Sequence, residues 1–343
     1  MAEKKILVTG GTGYIGSHTV VELMNAGYKP IIVDNLSNST ARIVDQIEQI
    51  TGIRPEFHNF DLCDENRTLQ FINEHADISG VIHFAAYKAV GESVAEPLKY
   101  YYNNFYSLIN LLRAYQSKPV NFVFSSSCTV YGQPETLPVT EQAPVKKAES
   151  PYGNTKQVAE EILQEVASVN ENIRIVSLRY FNPVGAHASA LIGELPIGVP
   201  QNLVPFITQS AIGKRGPIQV FGNDYNTPDG SCIRDYIHVV DLAKAHVAAL
   251  KAMEKPGATD RYQVYNIGTG KGSSVLEVIL AFEQATGVKL NYSIAARRPG
   301  DVEQVYGDVS KAATELSWKT ELDLNEMMRS AWAWEKYLQQ NPL

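Results

Sequence analysis

A glycine-rich turn between a predicted strand and a predicted helix restricts the fold more than any other feature of the sequence. The segment TGGTGYIGSH carries Gly10, Gly13 and Gly16 directly after the apolar run KKILVTG and before the helical pattern IGSHTVVELMNAG. Glycines at this spacing permit a tight turn, close approach of the backbone to a pyrophosphate, and close helix–strand packing. The N-terminus of the helix adds partial positive charge. The turn therefore predicts a strand–helix unit that binds a dinucleotide.

Strand and helix patterns alternate through the rest of the first half of the chain. Further short apolar runs, separated by helical patterns, are KPIIVDN, PEFHNFDL, SGVIHFAA, PVNFVFSSS and RIVSLRYFN. Such alternation predicts an α/β fold of the Rossmann type, a doubly wound parallel sheet with its ligand at the carboxyl ends of the strands. Residues 1–182 are therefore predicted to form a nucleotide-binding domain.

The second half, residues 183–343, has a different pattern. A stretch rich in glycine and proline follows Asn182 and predicts long loops, which inside a compact protein usually serve function. Later come the helical pattern VVDLAKAHVAALKAM, the strand VYNIG, a capping-box helix from Ser274 and a terminal amphipathic helix. The segment NIGTGKGSS lacks P-loop spacing and predicts a strand-to-helix turn. We expect a smaller mixed α/β substrate domain, some segments of which return to the first sheet.

Composition and charge exclude several classes of function. The net charge of −7 argues against nucleic acid or an anionic membrane surface as a partner, and no apolar run approaches the roughly 20 residues that span a bilayer. The three cysteines, Cys63, Cys128 and Cys232, are far apart and odd in number, which favours a reducing compartment. With no signal-peptide profile, a cytoplasmic protein is expected. No CxxC or HExxH spacing occurs, so no metal site is predicted.

An aspartate at the end of the second predicted strand indicates which dinucleotide is bound. Asp34 lies about twenty residues beyond the glycine turn, where a carboxylate accepts hydrogen bonds from adenosine ribose hydroxyls and repels a 2′-phosphate. NAD is therefore favoured over NADP. The alternative is a helix-capping or turn aspartate. Asp61 and Leu62, which follow another strand, are placed to flank the adenine.

A serine, a tyrosine and a lysine form a candidate proton-transfer set. In SPYGNTK, Tyr152 and Lys156 are neighbours on one helix face, and Ser127 ends the strand NFVFSSS. A tyrosine ordinarily ionises near pH 10, so a phenolate at pH 7 needs about 4 kcal/mol of stabilisation. One positive charge about 4 Å away, at an effective dielectric near 20, supplies about that much. Lys156, together with an oxidised nicotinamide, is therefore expected to lower the pKa of Tyr152. The alternative is an exposed helix pair.

Several motifs together resemble those of the extended short-chain dehydrogenase/reductase family. The resemblance runs nearly end to end and rests on TGGTGYIGSH, HFAAYKAVGES, SSSCTVYG, SPYGNTK, LRYFNPVGAH and IRDYIHVVDLA. Within the family, the chain is similar to the members that act at carbon 4 of UDP-hexoses. The resemblance implies a tightly held NAD that is reduced and re-oxidised in each turnover, a UDP-hexose as substrate, and a homodimer.

The resemblance also implies roles for individual residues. Tyr152 takes the proton of the sugar 4′-hydroxyl as hydride leaves C4, Ser127 relays that proton, and Lys156 holds the nicotinamide ribose. A 4-keto sugar then turns about its diphosphate link and takes hydride back. Further positions that match NAD contacts are Tyr14, Ile15, Asn35, Phe84, Ala85, Ala86, Lys88, Asn103 and Phe181. Positions that match substrate contacts are Lys88, Asn182, Asn202, Leu203, Phe221, Arg234, Arg298, Asp301 and Val305.

Two features bear on rival readings and on substrate choice. Val305 lies where a tyrosine in some relatives excludes N-acetylated sugars, so we expect UDP-GalNAc and UDP-GlcNAc to be interconverted as well. A one-residue slip of the alignment would put Tyr306 there and reverse this expectation.

A 4,6-dehydratase or decarboxylase is one rival, but Cys128-Thr129-Val130 lacks the acidic pair that elimination of water requires. A protein that binds NAD without chemistry is the other rival.

Overall fold

A seven-stranded, all-parallel sheet organises the larger part of the molecule. This computed structural model describes residues 3–257, 260–298 and 302–342. The strands are β1 (Lys5–Thr9), β2 (Lys29–Asp34), β3 (Glu56–Asn59), β4 (Ile78–His83), β5 (Val120–Ser125), β6 (Ile173–Tyr180), β7 (Asn182–Val184), β8 (Ile218–Phe221), β9 (Ile233–Arg234), β10 (Tyr236–His238), β11 (Tyr262–Ile267), β12 (Ser273–Ser274), β13 (Tyr292–Ala295) and β14 (Gln304–Val305). The large sheet has the order β11-β6-β5-β4-β1-β2-β3, which is doubly wound as predicted.

Helices cover both faces of this sheet and build most of the second half. They are α1 (Tyr14–Asn25), α2 (Arg42–Thr51), α3 (Glu65–Glu74), α4 (Val90–Ala95), α5 (Pro97–Ala114), α6 (Pro151–Val169), α7 (Leu203–Ala211), α8 (Val239–Met253), α9 (Val275–Thr286), α10 (Ser310–Glu315) and α11 (Leu324–Gln340). A short 3₁₀ turn spans Cys128–Tyr131. Among the helices of the described ranges, none is long and apolar enough to cross a membrane.

Alternating side chains of the central strands supply two separate cores. Ile6 and Val8 of β1 are fully buried in a cluster with residues of α1, α2 and α8, whereas Leu7 is buried in a cluster with residues of α3, α5 and α6. Successive side chains of a strand point to opposite faces, so a run of apolar residues requires cover on both sides. The continuous apolar runs seen in the sequence are the result.

The second half contributes both to this sheet and to a separate core. Strand β11 pairs with β6 in parallel, and α8 packs against α1. A third apolar cluster joins residues of α7, α9 and α11 to β8 and β10. The capping box predicted at Ser274 and Glu277 starts α9. The structure therefore includes residues beyond 182 in the large sheet, and the domain boundary at that residue stays a prediction.

Candidate active site

A large cleft lies at the carboxyl ends of the sheet strands. It is a cleft of about 1090 Å³, at the upper end of ordinary ligand pockets. One wall comprises the glycine turn, the ends of β2 and β4 and the start of α6; the other comprises the loop 193–202. Predicted site residues that line the cleft are Gly10, Gly13, Tyr14, Ile15, Gly16, Asp34, Asn35, Asp61, Leu62, Phe84, Ala85, Ala86, Lys88, Asn103, Tyr152, Lys156, Asn202 and Arg298.

The glycine turn has the geometry of a dinucleotide cradle. Gly10 adopts a φ of +69°, in the region that favours glycine, and a Cβ there would lie 2.8 Å from the Ala85 nitrogen. A Cβ on Gly16 would lie 2.2 Å from the Gly10 carbonyl oxygen. Gly13 begins α1 without a side-chain hydrogen bond to the helix end, which leaves the positive end of the helix to an anion. The residues of this turn therefore fit a bound pyrophosphate.

Asp34 holds the turn beside it and also lines the cleft. Its side chain lies at the cleft and is mostly buried, with 8% exposed. One carboxylate oxygen, Oδ1, accepts the Leu36 amide at 2.9 Å, and Oδ2 accepts the Thr12 amide at 3.2 Å. The carboxylate thus holds the glycine turn against the end of β2 while facing the cleft. Beside it, Asn35 Nδ2 donates to Asp61 Oδ2 at 3.2 Å, which brings two other predicted positions together.

Helix α6 presents Tyr152 and Lys156 to the cleft from its first two turns. Ser150 caps this helix by accepting the Gly153 amide at 3.1 Å, and Pro151 occupies the first turn. Tyr152 and Lys156 are 6% and 5% exposed. Lys156 Nζ donates to the Ser125 carbonyl oxygen at 2.8 Å and lies 4.7 Å from the centroid of the Phe124 ring. The lysine is thereby fixed to the end of β5.

Ser127 lies at the start of the 3₁₀ turn that follows β5. Its Oγ accepts the Thr129 amide at 3.2 Å, and its hydroxyl lies close enough to the phenol of Tyr152 to lower the pKa of that tyrosine. Ser127 itself is 6% exposed and is not among the residues that line the cleft. The turn Cys128–Tyr131 carries no carboxylate, as its sequence CTVY requires. The chain therefore brings a hydroxyl, a phenol and an ammonium together, without an acidic pair on this turn.

Burial controls the acidity of the two titratable groups. Burial raises the pKa of Tyr152 well above 10, Tyr180 raises it further, and the hydrogen bond from Ser127 opposes this. Burial also lowers the pKa of Lys156 to about 8, and Glu160 opposes that shift. We expected Lys156 to lower the pKa of Tyr152. With the chain's own groups alone the net shift of the pKa of Tyr152 is upward, because desolvation disfavours the phenolate; the expected contribution of an oxidised nicotinamide is a separate one.

The predicted cation Lys88 is engaged by a residue that sequence analysis missed. Glu194 Oε1 lies 3.3 Å from Lys88 Nζ and accepts a hydrogen bond from Asn202 Nδ2 at 2.7 Å. On the same side of the cleft, Tyr14 donates its hydroxyl to the Gly185 carbonyl oxygen at 2.6 Å. Glu194 therefore links the loop after β4 to the loops of the second half. No motif marks it, since its role depends on contacts over more than 100 positions of sequence.

The predicted substrate positions in the second half of the chain form two groups, of which the first includes the cleft residue Arg298. The guanidinium carbon of Arg298 lies 4.7 Å from the centroid of the Phe221 ring. Arg234 and Val305 are register partners in the parallel pair β9–β14, and Val305 is buried in a cluster with Phe181, Val130, Tyr131 and Val139. Leu203 begins α7 and Asn182 begins β7. Asp301 lies outside the described residues.

Val305 and Tyr306 face different surroundings. The apolar cluster that holds Val305 also includes Cys128, the residue after Ser127. The Tyr306 ring instead lies towards Gly272, where a Cβ would meet the ring Cδ1 at 3.2 Å. This difference follows from the alternation of side chains along a strand. Of these two residues, Val305 is therefore the one that packs beside the 3₁₀ turn Cys128–Tyr131.

Other cleft residues also escaped sequence analysis. Tyr180 ends β6 and lies close enough to Tyr152 for each to affect the other's pKa. Ser125 and Thr12 line the same cleft, and Ser125 supplies the carbonyl that holds Lys156. The position of Tyr180 and Ser125 at strand ends could have identified these two residues from the sequence, because the carboxyl ends of parallel strands face the ligand.

The loop that resembles a P-loop is filled by the protein itself. The Thr269 amide donates to Asp235 Oδ1 at 2.7 Å, and the Gly270 amide donates to Asp235 Oδ2 at 3.1 Å. A phosphate would need these same donors. The loop is thus a strand-to-helix turn, as predicted from its spacing.

Comparison with known proteins agrees with this geometry. The family model described as GDP-mannose 4,6 dehydratase matches residues 7–331. A UDP-glucose 4-epimerase of Dictyostelium discoideum is 51% identical over 338 residues, which are 97% of this chain and 96% of the relative. The chain belongs to the UDP-glucose 4-epimerases of the extended short-chain dehydrogenase/reductase family.

Solved structures of the family are close matches to the fold. The epimerase of Stenotrophomonas maltophila, crystallised with NAD and formylated UDP-arabinopyranose, has a TM-score of 0.95 and 49% identity, over 98% of this chain and 99% of that one. The epimerase of Bifidobacterium longum, in complex with NAD⁺ and UDP, has a TM-score of 0.91 and 48% identity, over 99% of both chains. The family predicted from the sequence motifs is confirmed.

Replacing the buried Lys156 should change how the free energy of unfolding depends on pH. Because the pKa of this lysine falls from 10.5 to about 8 on folding, the unfolded chain binds more protons between these values. The free energy of unfolding of the wild type minus that of Lys156→Met should therefore increase by about 2 kcal/mol between about pH 7.5 and 10. Urea denaturation at a series of pH values measures this difference.

The matched control is Lys251→Met, which removes one positive charge from an exposed position on α8. It reports the general effect of the lost charge. A difference between wild type and Lys156→Met that stays constant over the same range would contradict the assignment of Lys156 as a buried, destabilised cation.

Proposed function

We propose that this chain interconverts UDP-galactose and UDP-glucose, with NAD held in the cleft. The observation that carries the proposal is the meeting of Ser127, Tyr152 and Lys156 beside the glycine turn, at one edge of the sheet. The names of the curated relatives, and the structures of neighbours solved with NAD and a uridine nucleotide, support the same activity.

The chain's own groups suit NAD. The amides of the glycine turn bind the pyrophosphate, and the Asp34 carboxylate accepts the ribose hydroxyls of the adenosine. Asp61 and Leu62 flank the adenine, and Phe84, Ala85 and Ala86 line the path towards Lys156. NAD, when bound in its oxidised form, supplies a hydride acceptor and a further positive charge in the cleft. That charge lowers the pKa of Tyr152, which burial alone raises.

Tyr152 is the acid–base group of the reaction. Its phenolate takes the proton of the sugar 4′-hydroxyl, and the Ser127 hydroxyl donates to the developing oxyanion. Lys156 stabilises the phenolate through its charge and is kept in place by the Ser125 carbonyl. Loss of the C4 hydride to the NAD that the cleft would hold would give a 4-keto sugar, which turns about its link to the diphosphate. Tyr152 would then return the proton to the oxygen when that hydride is given back to the opposite face of C4. Reversal of the proton transfer makes one residue sufficient for both directions.

Affinity for the substrate resides in the nucleotide, because a tightly held hexose could not turn. Arg234 and Arg298 contact the diphosphate, for which forked guanidinium donors are well suited. Phe221 lies beside the uracil, and Asn182, Asn202 and Leu203 complete the site. Asn202 and Lys88 exchange Glu194 for ligand contacts when the site fills. Before this exchange, Glu194 joins the two sides of the cleft.

Replacing Tyr152 by phenylalanine should abolish catalysis without emptying the cofactor site. General acid–base groups contribute about 10²–10⁴-fold, so Tyr152→Phe should lower turnover of UDP-galactose by at least about 100-fold. Turnover is followed by chromatography of the products without added NAD. Bound NAD, released by denaturation and quantified, should remain at the wild-type ratio.

The control is Tyr292→Phe, which changes a half-exposed tyrosine of β13 that does not line the cleft. Full activity of Tyr152→Phe would contradict the proposed role of this residue. A strict requirement of the wild type for added, stoichiometric NAD would instead indicate a net dehydrogenase.

N-acetylated hexoses are proposed as additional substrates. Val305 packs with Phe181 and with Cys128 of the 3₁₀ turn that follows Ser127. It is smaller than the tyrosine found at this position in some relatives. A smaller side chain there leaves room for the acetamido group of UDP-GalNAc. The alternation that turns Tyr306 towards Gly272 supports Val305 as the relevant position.

Added bulk at residue 305 should separate the two substrate classes. In Val305→Tyr, the ratio of kcat/KM for UDP-GalNAc to that for UDP-galactose should fall by at least about tenfold, a steric cost of about 1.4 kcal/mol. Val305→Ala is the matched control and should keep the wild-type ratio. Failure of the wild type to turn over UDP-GalNAc, or an unchanged ratio in Val305→Tyr, would reject this specificity.

A second copy of the chain is the proposed partner of helix α5. Leu98, Tyr102, Tyr106 and Ile109 lie at spacings of four, four and three residues, and each is at least 36% exposed. Such spacing puts large apolar side chains on one helix face, which soluble proteins rarely leave in water. The family resemblance implies a homodimer, and a two-fold interface would cover the same face on both subunits.

A charge on that face should dissociate the dimer. Tyr102→Glu would place a carboxylate where an apolar contact is proposed, so the molar mass in solution should fall from that of two chains to that of one. Light scattering after size exclusion measures it. Tyr292→Glu, at a similarly exposed tyrosine on β13, should remain dimeric. A monomeric wild type would disprove the proposed association.

A further inference from the structure

Two histidines and a glutamate meet far from the catalytic residues, at the edge of the large sheet. Glu56 and His58 are alternate residues of the edge strand β3, so they share one face, and His75 follows the last residue of α3, which packs near that face. Glu56 Oε1 lies 2.8 Å from His58 Nε2 and 3.1 Å from His75 Nε2. One donor atom from each of the three lies within 4.8 Å of the others. We name these residues the edge-strand cluster.

The orientation of His75 is fixed by the backbone. Its Nδ1 lies 2.9 Å from the Phe71 carbonyl oxygen, which only accepts hydrogen bonds, so Nδ1 carries a proton. In the neutral ring, Nε2 then points an electron pair at the Glu56 carboxylate, another acceptor. Two acceptors at 3.1 Å need a proton or a metal ion between them. A backbone carbonyl that fixes the tautomer is also what metal-ligating histidines commonly have.

We propose that the edge-strand cluster binds a divalent transition-metal ion of the zinc type. Two imidazole nitrogens and one carboxylate oxygen form a donor set that zinc uses, with a fourth position for water. Bonds of about 2.0–2.1 Å at tetrahedral angles separate the donor atoms by about 3.3 Å. The two observed nitrogen–oxygen separations, 2.8 and 3.1 Å, need to open by a few tenths of an ångström, and the two imidazole nitrogens, which lie within 4.8 Å of each other, need to reach the same spacing.

The surroundings hold the ligands in place and leave an entry path. His75 stacks on the Phe71 ring at a centroid distance of 4.3 Å, and His58 packs edge-on against the same ring at 4.9 Å. The side chains of Glu56, His58 and His75 are 35%, 26% and 15% exposed, so water reaches the fourth position. Of the charged neighbours, Asp77 is paired with Lys5 at 2.6 Å, and Glu74 lies next to His75 in sequence.

An ion bound here would fasten the end of α3 to the edge of the sheet. Strand β3 pairs only with β2 in the described sheet, so its free edge has no other partner strand there. The chain that leaves β3 continues through Asn59, which donates to the Asp34 carbonyl oxygen at 2.9 Å, and then to Asp61 at the cleft. The proposed role is therefore structural, and it does not depend on the proposed enzymatic activity.

Zinc titration of the untagged, chelator-treated full chain tests the site. Competition with a chromogenic chelator should show one Zn²⁺ bound per chain, with a rise in melting temperature. His58→Gln should weaken binding by at least about 100-fold, since even an outer-sphere partner is commonly worth 10–100-fold. Glu56→Gln, which keeps the shape of the side chain, is the second ligand variant. Co²⁺ should give the visible absorption of a tetrahedral nitrogen–oxygen site.

The matched control is Glu74→Gln, which removes a neighbouring negative charge without removing a ligand. Its Zn²⁺ affinity should stay within a few-fold of the wild type, and circular dichroism reports whether each variant is folded. Absence of Zn²⁺ binding in the wild type would overturn the proposal. Equal affinity in wild type and in a folded ligand variant would also overturn it, since the metal would then be held elsewhere, for example by the three cysteine thiols.

Discussion

Parallel strands all end at the same edge of a sheet, and the arrangement of this molecule depends on that constraint. The glycine turn follows β1, Asp34 ends β2, Phe84 and Ala85 follow β4, and Ser125 ends β5. Residues separated by more than a hundred positions thus surround one cleft without any special pairing between them. The change in strand order on either side of β1 opens the crevice in which a dinucleotide fits.

The same arrangement buries two ionisable side chains of α6, Tyr152 and Lys156, and burial disfavours the charged form of each. Tyr152 and Lys156 lie so deep that burial raises the pKa of the first and lowers that of the second. The apoprotein therefore disfavours both the phenolate and the ammonium. A positively charged ligand shifts the balance towards the phenolate, which links ionisation of the base to occupancy of the cleft. The buried pair Arg179–Glu160, joined at 2.5 Å, fixes α6 to β6 and keeps this arrangement rigid.

Long loops of the second half complete what the sheet leaves open. Glu194 connects Lys88 and Asn202, and Tyr14 reaches the Gly185 carbonyl, so the two halves meet across the cleft through polar contacts. Polar contacts of this kind can be exchanged for those of a ligand at small cost, whereas an apolar interface would resist opening. The apolar cluster around Val305 includes none of these polar residues.

Local patterns in the sequence were sufficient for the sheet, the glycine turn, the capped helix of Tyr152 and Lys156, and the family, because each arises from neighbouring residues and from strict periodicities. The α/β class and the family are confirmed, while the assigned roles of single residues remain predictions. Glu194, Tyr180 and the edge-strand cluster carry no such pattern. Glu56 and His75 are nineteen positions apart and meet because α3 ends beside an edge strand. The pKa of Tyr152 likewise follows from the burial that folding imposes, and burial is a property of the packed chain rather than of SPYGNTK.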